Sequence, residues 1–231
     1  MAVASARFWK GREVFVTGGS GFLGYRLSVF LATRGAKVTV LDKRPLPRTE
    51  RIPAPVAKHI RYVKGTILSK KTLRSLMRKR RFKTIFHLAA EAIESRAFKN
   101  PASALDANIR GTWNLLEATR ASGGADQILV ASSDKAYGMH DNLPYREHYA
   151  LSGKSPYSCS KSCTDLIAQM YAYAYHMPVA IVRCGNIYGG GDLNGTRLIP
   201  DALDHLRRGG TFHVRSDGTF MRDYVYVDDI V

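Results

Sequence analysis

Hydrophobic and polar positions follow two alternating rhythms along this chain. Glu13-Val-Phe-Val-Thr17 is a compact apolar run, followed by Leu23, Leu27, Phe30 and Leu31 at helical spacing as far as Gly35, a helix terminator. Lys37-Val-Thr-Val-Leu-Asp42 is again an apolar run. Strand, turn, helix and strand in this order predict a βαβ unit of about thirty residues. The rhythm recurs, predicting strands at 60–64, 84–88, 127–132 and 179–183 and helices over 70–80, 101–121 and 157–176. Residues 45–55, with prolines at 45, 47, 53 and 55, read as an irregular loop. Near the end, Arg222-Asp-Tyr-Val-Tyr-Val-Asp-Asp-Ile-Val231 reads as an extended segment entering a helix that stops on an apolar residue without a cap. The expected organisation is a first domain over 1–184 and the start of a second region, apparently truncated, over 185–231.

Composition sets bounds on this picture. At 231 residues and 45% hydrophobic, the chain can bury the core of one large domain or somewhat more. Its first residues, MAVASARFWKGREVFV, are interrupted by Arg7, Lys10, Arg12 and Glu13 before an apolar run develops, so neither a secretory signal nor a membrane span is expected. Cys159, Cys163 and Cys184 are odd in number and lack metal-ligand spacing, which suits free thiols in a reducing cytoplasm. The seven histidines form no ligand pair, so no metal site is expected. The net charge of +16 is concentrated: residues 43–83 hold fifteen Lys or Arg against one acid, Glu50, a local excess of 14. Such a stretch fits a solvated basic face or a patch for nucleic acid or an acidic partner. With only Tyr62 and Phe82 as aromatics in it, nucleic acid is not the expected partner.

The first predicted turn, Gly18-Gly-Ser-Gly21-Phe-Leu-Gly24, sits between a strand and a helix and is followed by Asp42 at the end of the next strand. Glycines here allow the tight bend, the approach of backbone to a pyrophosphate, and close packing of helix on strand. The context predicts a dinucleotide site on a Rossmann-type, doubly wound parallel α/β sheet with helices on both faces. Asp42 suits the ribose hydroxyls of NAD and would repel the 2′-phosphate of NADP; Lys43 and Arg44 beside it either rescue NADP binding or lie in an exposed loop.

Two further clusters carry chemistry. Tyr157-Ser-Cys-Ser-Lys161 puts a phenol and an ammonium one turn apart on one helix face. A phenol of ordinary pKa about 10 becomes a base near neutrality only beside a cation, which Lys161 supplies. Ser133, at the end of an apolar strand, offers a hydroxyl to the same reacting oxygen. Asp134-Lys135 adds an acid/base pair that alcohol oxidation alone does not require, unless the two simply form a salt bridge at a strand end.

Taken together, VTGGSGFLG at 16–24, HLAA at 87–90, NIRGTWNLLEA at 108–118, SSDKAYG at 132–138, YSCSK at 157–161 and RDYVYVDD at 222–229 resemble the extended short-chain dehydrogenase/reductases, the nucleotide-sugar epimerases and dehydratases. The resemblance implies NAD held by Gly18, Gly21, Phe22, Leu23, Gly24, Asp42, Lys43, Leu88, Ala89, Ala90, Asn108, Tyr157 and Lys161. It implies Ser133, Tyr157 and Lys161 as the oxidising triad, and Asp134-Lys135 as the pair that distinguishes 4,6-dehydratases, with Lys as in the CDP-glucose branch. The implied reaction is oxidation at C4, loss of water across C5–C6 and hydride return to C6. A sugar 4-epimerase and a non-catalytic NAD-binding paralogue are the alternatives. Glu91, Asn186, Arg197 and Arg222 are implied substrate contacts, the arginines at the diphosphate of a CDP- or other NDP-hexose. A homodimer through the helices around 101–121 and 157–176 is implied as well. In one departure, Thr66 of Gly65-Thr66-Ile67 stands where the family carries an adenine-binding Asp.

Overall fold

The computed structural model describes residues 6–47, 52–214 and 216–231, and the chain divides into two compact units, Met1–Arg183 and Cys184–Val231. In the first unit α1 (Ala6–Trp9) leads into β1 (Glu13–Thr17), α2 (Phe22–Thr33) and β2 (Lys37–Asp42). Then come α3 (Ala54–Ala57), β3 (Ile60–Lys64), α4 (Lys70–Lys79) and β4 (Thr84–His87). The unit continues through α5 (Glu94–Lys99), α6 (Pro101–Leu105), a π turn (Asp106–Arg110), α7 (Gly111–Arg120) and β5 (Gln127–Ala131). A 3-10 turn (Asp134–Tyr137), α8 (Pro156–Tyr175) and β6 (Val179–Val182) complete it. The second unit pairs β7 (Asn186–Tyr188) in parallel with β8 (Tyr224–Tyr226) and adds α9 (Leu198–Arg207) and α10 (Val227–Ile230).

All six strands of the first unit run parallel in the order β3-β2-β1-β4-β5-β6. The expected doubly wound sheet is therefore present, and its order reverses between β1 and β4, where such sheets bind ligands at the strands' C-terminal ends. Period-two alternation sorts the strands onto two faces. Phe15, Leu41, Ile85, Ile128 and Val130 pack with Leu73, Leu76 and Met77 of α4, Leu115 and Leu116 of α7, and Ala168 and Tyr171 of α8. Val14, Val16, Val38 and Val40 are buried on the opposite face, the side of α2, whose Leu27 and Leu31 are also buried. Each such side chain contributes roughly 1.5–3 kcal/mol of burial. Gly35, at φ +82°, ends α2 as its position in the sequence predicts.

Two expectations are corrected, and two short helices are added. The helix over 101–121 is not continuous but broken by the π turn, because the Asn108 carbonyl is taken by the hydroxyls of Thr112 and, from α8, Thr164. The loop over 45–55 contains the start of α3, with Pro53 preceding its first turn, while residues 48–51 lie outside the described residues. The short helices α1 and α5 have too few turns for a periodic signal.

Candidate active site

The turn after β1 is built from backbone. Gly18 adopts φ +74° and donates its amide to the Leu41 carbonyl at 2.9 Å. A Cβ on Gly18 would stand 2.7 Å from the Ala89 nitrogen, so this turn and the segment after β4 touch main chain to main chain. A Cβ on Gly24 would overlap the Gly18 carbonyl oxygen, which fixes how closely α2 packs on its own entry turn. No side chain caps the start of this helix, leaving its positive end for an anion. Asp42 projects over the turn: its Oδ2 accepts the Ser20 amide at 3.0 Å and its Oδ1 the Arg44 amide at 3.1 Å. Lys43 and Arg44 are exposed at this edge. The cradle, the open helix end and the carboxylate fit the pyrophosphate and ribose of a dinucleotide. Thr66 is occupied locally, its hydroxyl accepting the Leu68 amide at 3.2 Å.

The turn after β5 is built from side chains. Ser133 starts the 3-10 turn, its Oγ accepting the Lys135 amide at 3.2 Å and donating to Asp134 Oδ1 at 3.0 Å. Lys135 Nζ reaches Asp134 Oδ2 at 3.4 Å, so all three side chains form one group. The salt bridge between Asp134 and Lys135 exists, and it includes the hydroxyl of Ser133 through the same carboxylate. Tyr157 is the second residue of α8, which begins at Pro156 and is capped by Ser155 Oγ on the Ser158 amide at 3.2 Å. One turn on, Lys161 is only 4% exposed and donates from Nζ to the Ala131 carbonyl at 2.8 Å, which holds it against the end of β5 two residues before Ser133.

A buried polar layer supports both turns, and most of it was not legible as a site. Asn108 Nδ2 donates to Ser160 Oγ at 2.8 Å and to the Glu91 carbonyl at 3.1 Å, while its Oδ1 accepts the Glu91 amide at 2.8 Å. Glu91 thus meets Asn108 through its backbone, and its carboxylate accepts the Ile93 amide. Leu88 donates its amide to the Thr17 carbonyl at 3.1 Å, and Ala89 and Ala90 follow at the rim of the sheet. Behind α8, Arg183 forks onto Asp165 at 2.7 and 3.0 Å and also donates to Tyr137 Oη at 2.7 Å. Burial opposes ionisation of Asp165, but hydrogen bonds from Arg183, Gln169 and Ser132 outweigh it and hold the carboxyl below its usual range. The same hydrogen bond, against burial, raises the guanidinium's pKa. His87 is buried between Thr17 and Thr112; burial and then the charge of Lys161 push its imidazole down to about 3. The only advance signals for this layer were hydroxylic residues on buried helix faces and the polar His87 ending an apolar strand.

In the second unit, Asn186 Nδ2 donates to the Asp223 carbonyl at 3.3 Å. Arg197 pairs with Asp192 at 2.8 Å, so a substrate diphosphate would have to share it. Arg222 is exposed, with its guanidinium over the Phe220 ring. Along the basic stretch, Arg80 pairs with Glu13 and Lys83 with Asp126. Lys70, Lys71, Arg74, Arg78 and Lys79 are exposed on α4, the form a solvated face takes, while Arg48, Glu50 and Arg51 lie outside the described residues. The three cysteines are free thiols. Among the described residues, no group of His, Cys, Asp and Glu could hold a metal ion, and no helix is long and apolar enough to cross a membrane.

Comparison with known proteins adds a sequence and a structural likeness. The model of the "NAD dependent epimerase/dehydratase family" matches residues 14–231. The CDP-glucose 4,6-dehydratase of Salmonella typhimurium is 34% identical over 211 residues, covering 85% of this chain and 58% of the relative. The dTDP-D-glucose 4,6-dehydratase of Dictyostelium discoideum is 29% identical over 95% of this chain and 54% of its own. The chain thus spans a little over half the length of these relatives. Among solved structures, a double mutant of DesIV, a dTDP-glucose 4,6-dehydratase of Streptomyces venezuelae, with NAD bound, superposes with a TM-score of 0.81 at 31% identity, over 94% of this chain and 69% of that one. The UDP-glucose 4-epimerase of Thermotoga maritima gives 0.84 at 27% identity, over 94% and 70%.

Proposed function

Because this chain belongs to the NAD dependent epimerase/dehydratase family, we propose that it is a nucleotide-sugar 4,6-dehydratase, with a hexose carried on CDP or another nucleoside diphosphate as substrate. The observation that carries this reading is the joined group of Ser133, Asp134 and Lys135. An epimerase needs only the oxidising set, whereas dehydration also needs a base for C5 and an acid for the departing C6 hydroxyl.

In this reading the first unit holds cofactor and reacting residues, and the second begins the substrate-binding region. Gly18, Gly21 and Gly24 cradle the pyrophosphate, Phe22 and Leu23 open the helix above it, Asp42 takes the ribose hydroxyls, and Leu88 to Ala90 line the opposite wall. When bound, NAD supplies the two-electron chemistry, taking hydride from C4 and returning it at C6. Tyr157, as phenolate beside the Lys161 ammonium, takes the C4 hydroxyl proton, and Ser133 holds the same oxygen. The contact between Lys135 and Asp134 gives the second half its balance. Moving one proton across it turns the ion pair into an amine and a carboxylic acid. The amine then removes the C5 proton, acidified by the C4 ketone, while the acid protonates the leaving hydroxyl. At hydride return to C6 the Lys135 ammonium gives its proton to C5. The proton that Tyr157 took from the C4 hydroxyl replaces it, which restores the ion pair and the phenolate. Asn186, Arg197 and Arg222 are assigned to the nucleotide diphosphate and Glu91 to the sugar.

A second copy of this chain is the assigned partner. Phe98, 73% exposed, Leu105, Trp113, Leu166, Met170 and Tyr173, 87% exposed, leave an apolar stripe on α5 to α8 that a two-fold helix packing would cover. The free thiols fit a cytoplasmic setting.

The test is incubation with CDP-, dTDP- and UDP-glucose under NAD, followed by mass analysis. Loss of one water, giving a 4-keto-6-deoxy sugar, supports the reading. A C4-inverted sugar of unchanged mass refutes it in favour of an epimerase. Sedimentation at micromolar concentration decides the dimer.

A further inference from the structure

We propose that His87 is a positioning residue: a neutral imidazole, protonated at Nε2 and bare at Nδ1, that couples the glycine turn to the turn carrying Asn108. The groups around the ring leave one consistent assignment. The Thr112 hydroxyl gives its single proton to the Asn108 carbonyl. At its 3.0 Å contact with His87 Nε2 that oxygen can therefore only accept, so Nε2 bears the hydrogen. In a neutral ring Nδ1 is then an acceptor, and the Thr17 hydroxyl donates to it across 2.8 Å. The Thr17 oxygen receives the Ala89 amide at 3.3 Å.

Four donors thus point in one direction, from the Ala89 amide through Thr17, His87 and Thr112 to the Asn108 carbonyl, which accepts. Both ends matter. Ala89 lies against Gly18 in the dinucleotide cradle. Asn108 sits in the π turn and holds Ser160 on the helix of Tyr157 and Lys161, and the same carbonyl accepts Thr164 from that helix. A second proton on the ring would force the Thr17 hydroxyl to turn away and would place a cation in a site 3% exposed and near Lys161. His87 touches neither cofactor nor substrate; it sets where their binding groups stand.

The assignment of the ring stands on hydrogen bonds alone, while its consequence for cofactor affinity rests on the dinucleotide reading above. The ring is read first, by nitrogen NMR of the histidine-labelled full chain. Nδ1 should resonate as a bare nitrogen and Nε2 as an N–H nitrogen, both unchanged from about pH 5 to 8. Two variants then separate the ends. His87→Gln keeps a donor at the Nε2 position and loses the acceptor for Thr17, so NAD affinity should fall about fivefold. His87→Asn keeps the acceptor and loses the donor, so NAD affinity should stay within about twofold while amide exchange over 106–112 speeds about fivefold. An Nδ1–H tautomer, a ring that charges in that pH range, or two variants that behave alike would overturn the proposal. If the wild-type chain binds no NAD, the cofactor reading falls, and the ring resonances alone still decide the assignment of His87.

Discussion

The turns after β1 and after β5 leave the same edge of the same sheet, yet they are made on opposite principles. The first offers main chain only: Gly18 and Gly24 stand where a Cβ would meet backbone, and no side chain caps the helix behind them. The second offers side chains, with Ser133, Asp134 and Lys135 bonded to one another and Lys161 held against the strand that delivers them. A site of the first kind fails when atoms are added. A site of the second kind fails when a proton or a charge is removed, and its fold survives.

The comparison can be broken or sharpened by substitution. Tyr157→Phe should lower turnover of a nucleotide sugar by about 10²–10⁴-fold while leaving NAD affinity nearly unchanged, as steady-state kinetics and a fluorescence titration would show. Equal losses in both would mean that α8 shapes the cradle as well as the chemistry. Arg183→Met should destabilise the first unit by about 3–5 kcal/mol in urea, because it leaves the Asp165 carboxylate, whose side chain is 0% exposed, without its fork. Since the folded-state pKa of Asp165 is depressed, the pair's stabilisation is present above the unfolded value of about 3.9 and is lost as pH falls through the folded one. That acid-side loss should disappear in the variant. Gly24→Ala should cost about 1–3 kcal/mol and weaken NAD binding, because the obstructing atoms are backbone with no rotamer to yield. The remaining effect is a slope. The unfolded chain binds a proton at His87 that the folded one refuses, so stability should fall as pH drops from 6.5 towards about 3, by roughly 1.4 kcal/mol per unit. His87→Gln should flatten that slope in acid titrations followed by circular dichroism.

The glycine turn, the first βαβ unit and the Tyr157–Lys161 spacing were legible because each is local. A φ of +74° at Gly18 and a one-turn repeat on α8 are properties of a few neighbouring residues. The break in the helix over 101–121 was not legible, since its apolar period runs on through Asp106–Arg110. Thr112 and Thr164 were an ambiguous signal, as hydroxylic residues on buried faces are common and become specific only when a carbonyl such as that of Asn108 needs them. Arg183 looked like the polar end of a strand until Asp165 and Tyr137 were found around it.

The sequence by itself determined the crossover, the glycine turn and the one-turn spacing of Tyr157 and Lys161, because backbone conformation and side-chain chemistry are written residue by residue. Only the tertiary structure decided which of those groups are bonded to one another, which way each hydrogen points and which charges are buried. Those depend on segments far apart in the chain, such as Thr17, His87, Asn108 and Thr164, and a donor has no assigned acceptor until packing brings the two together.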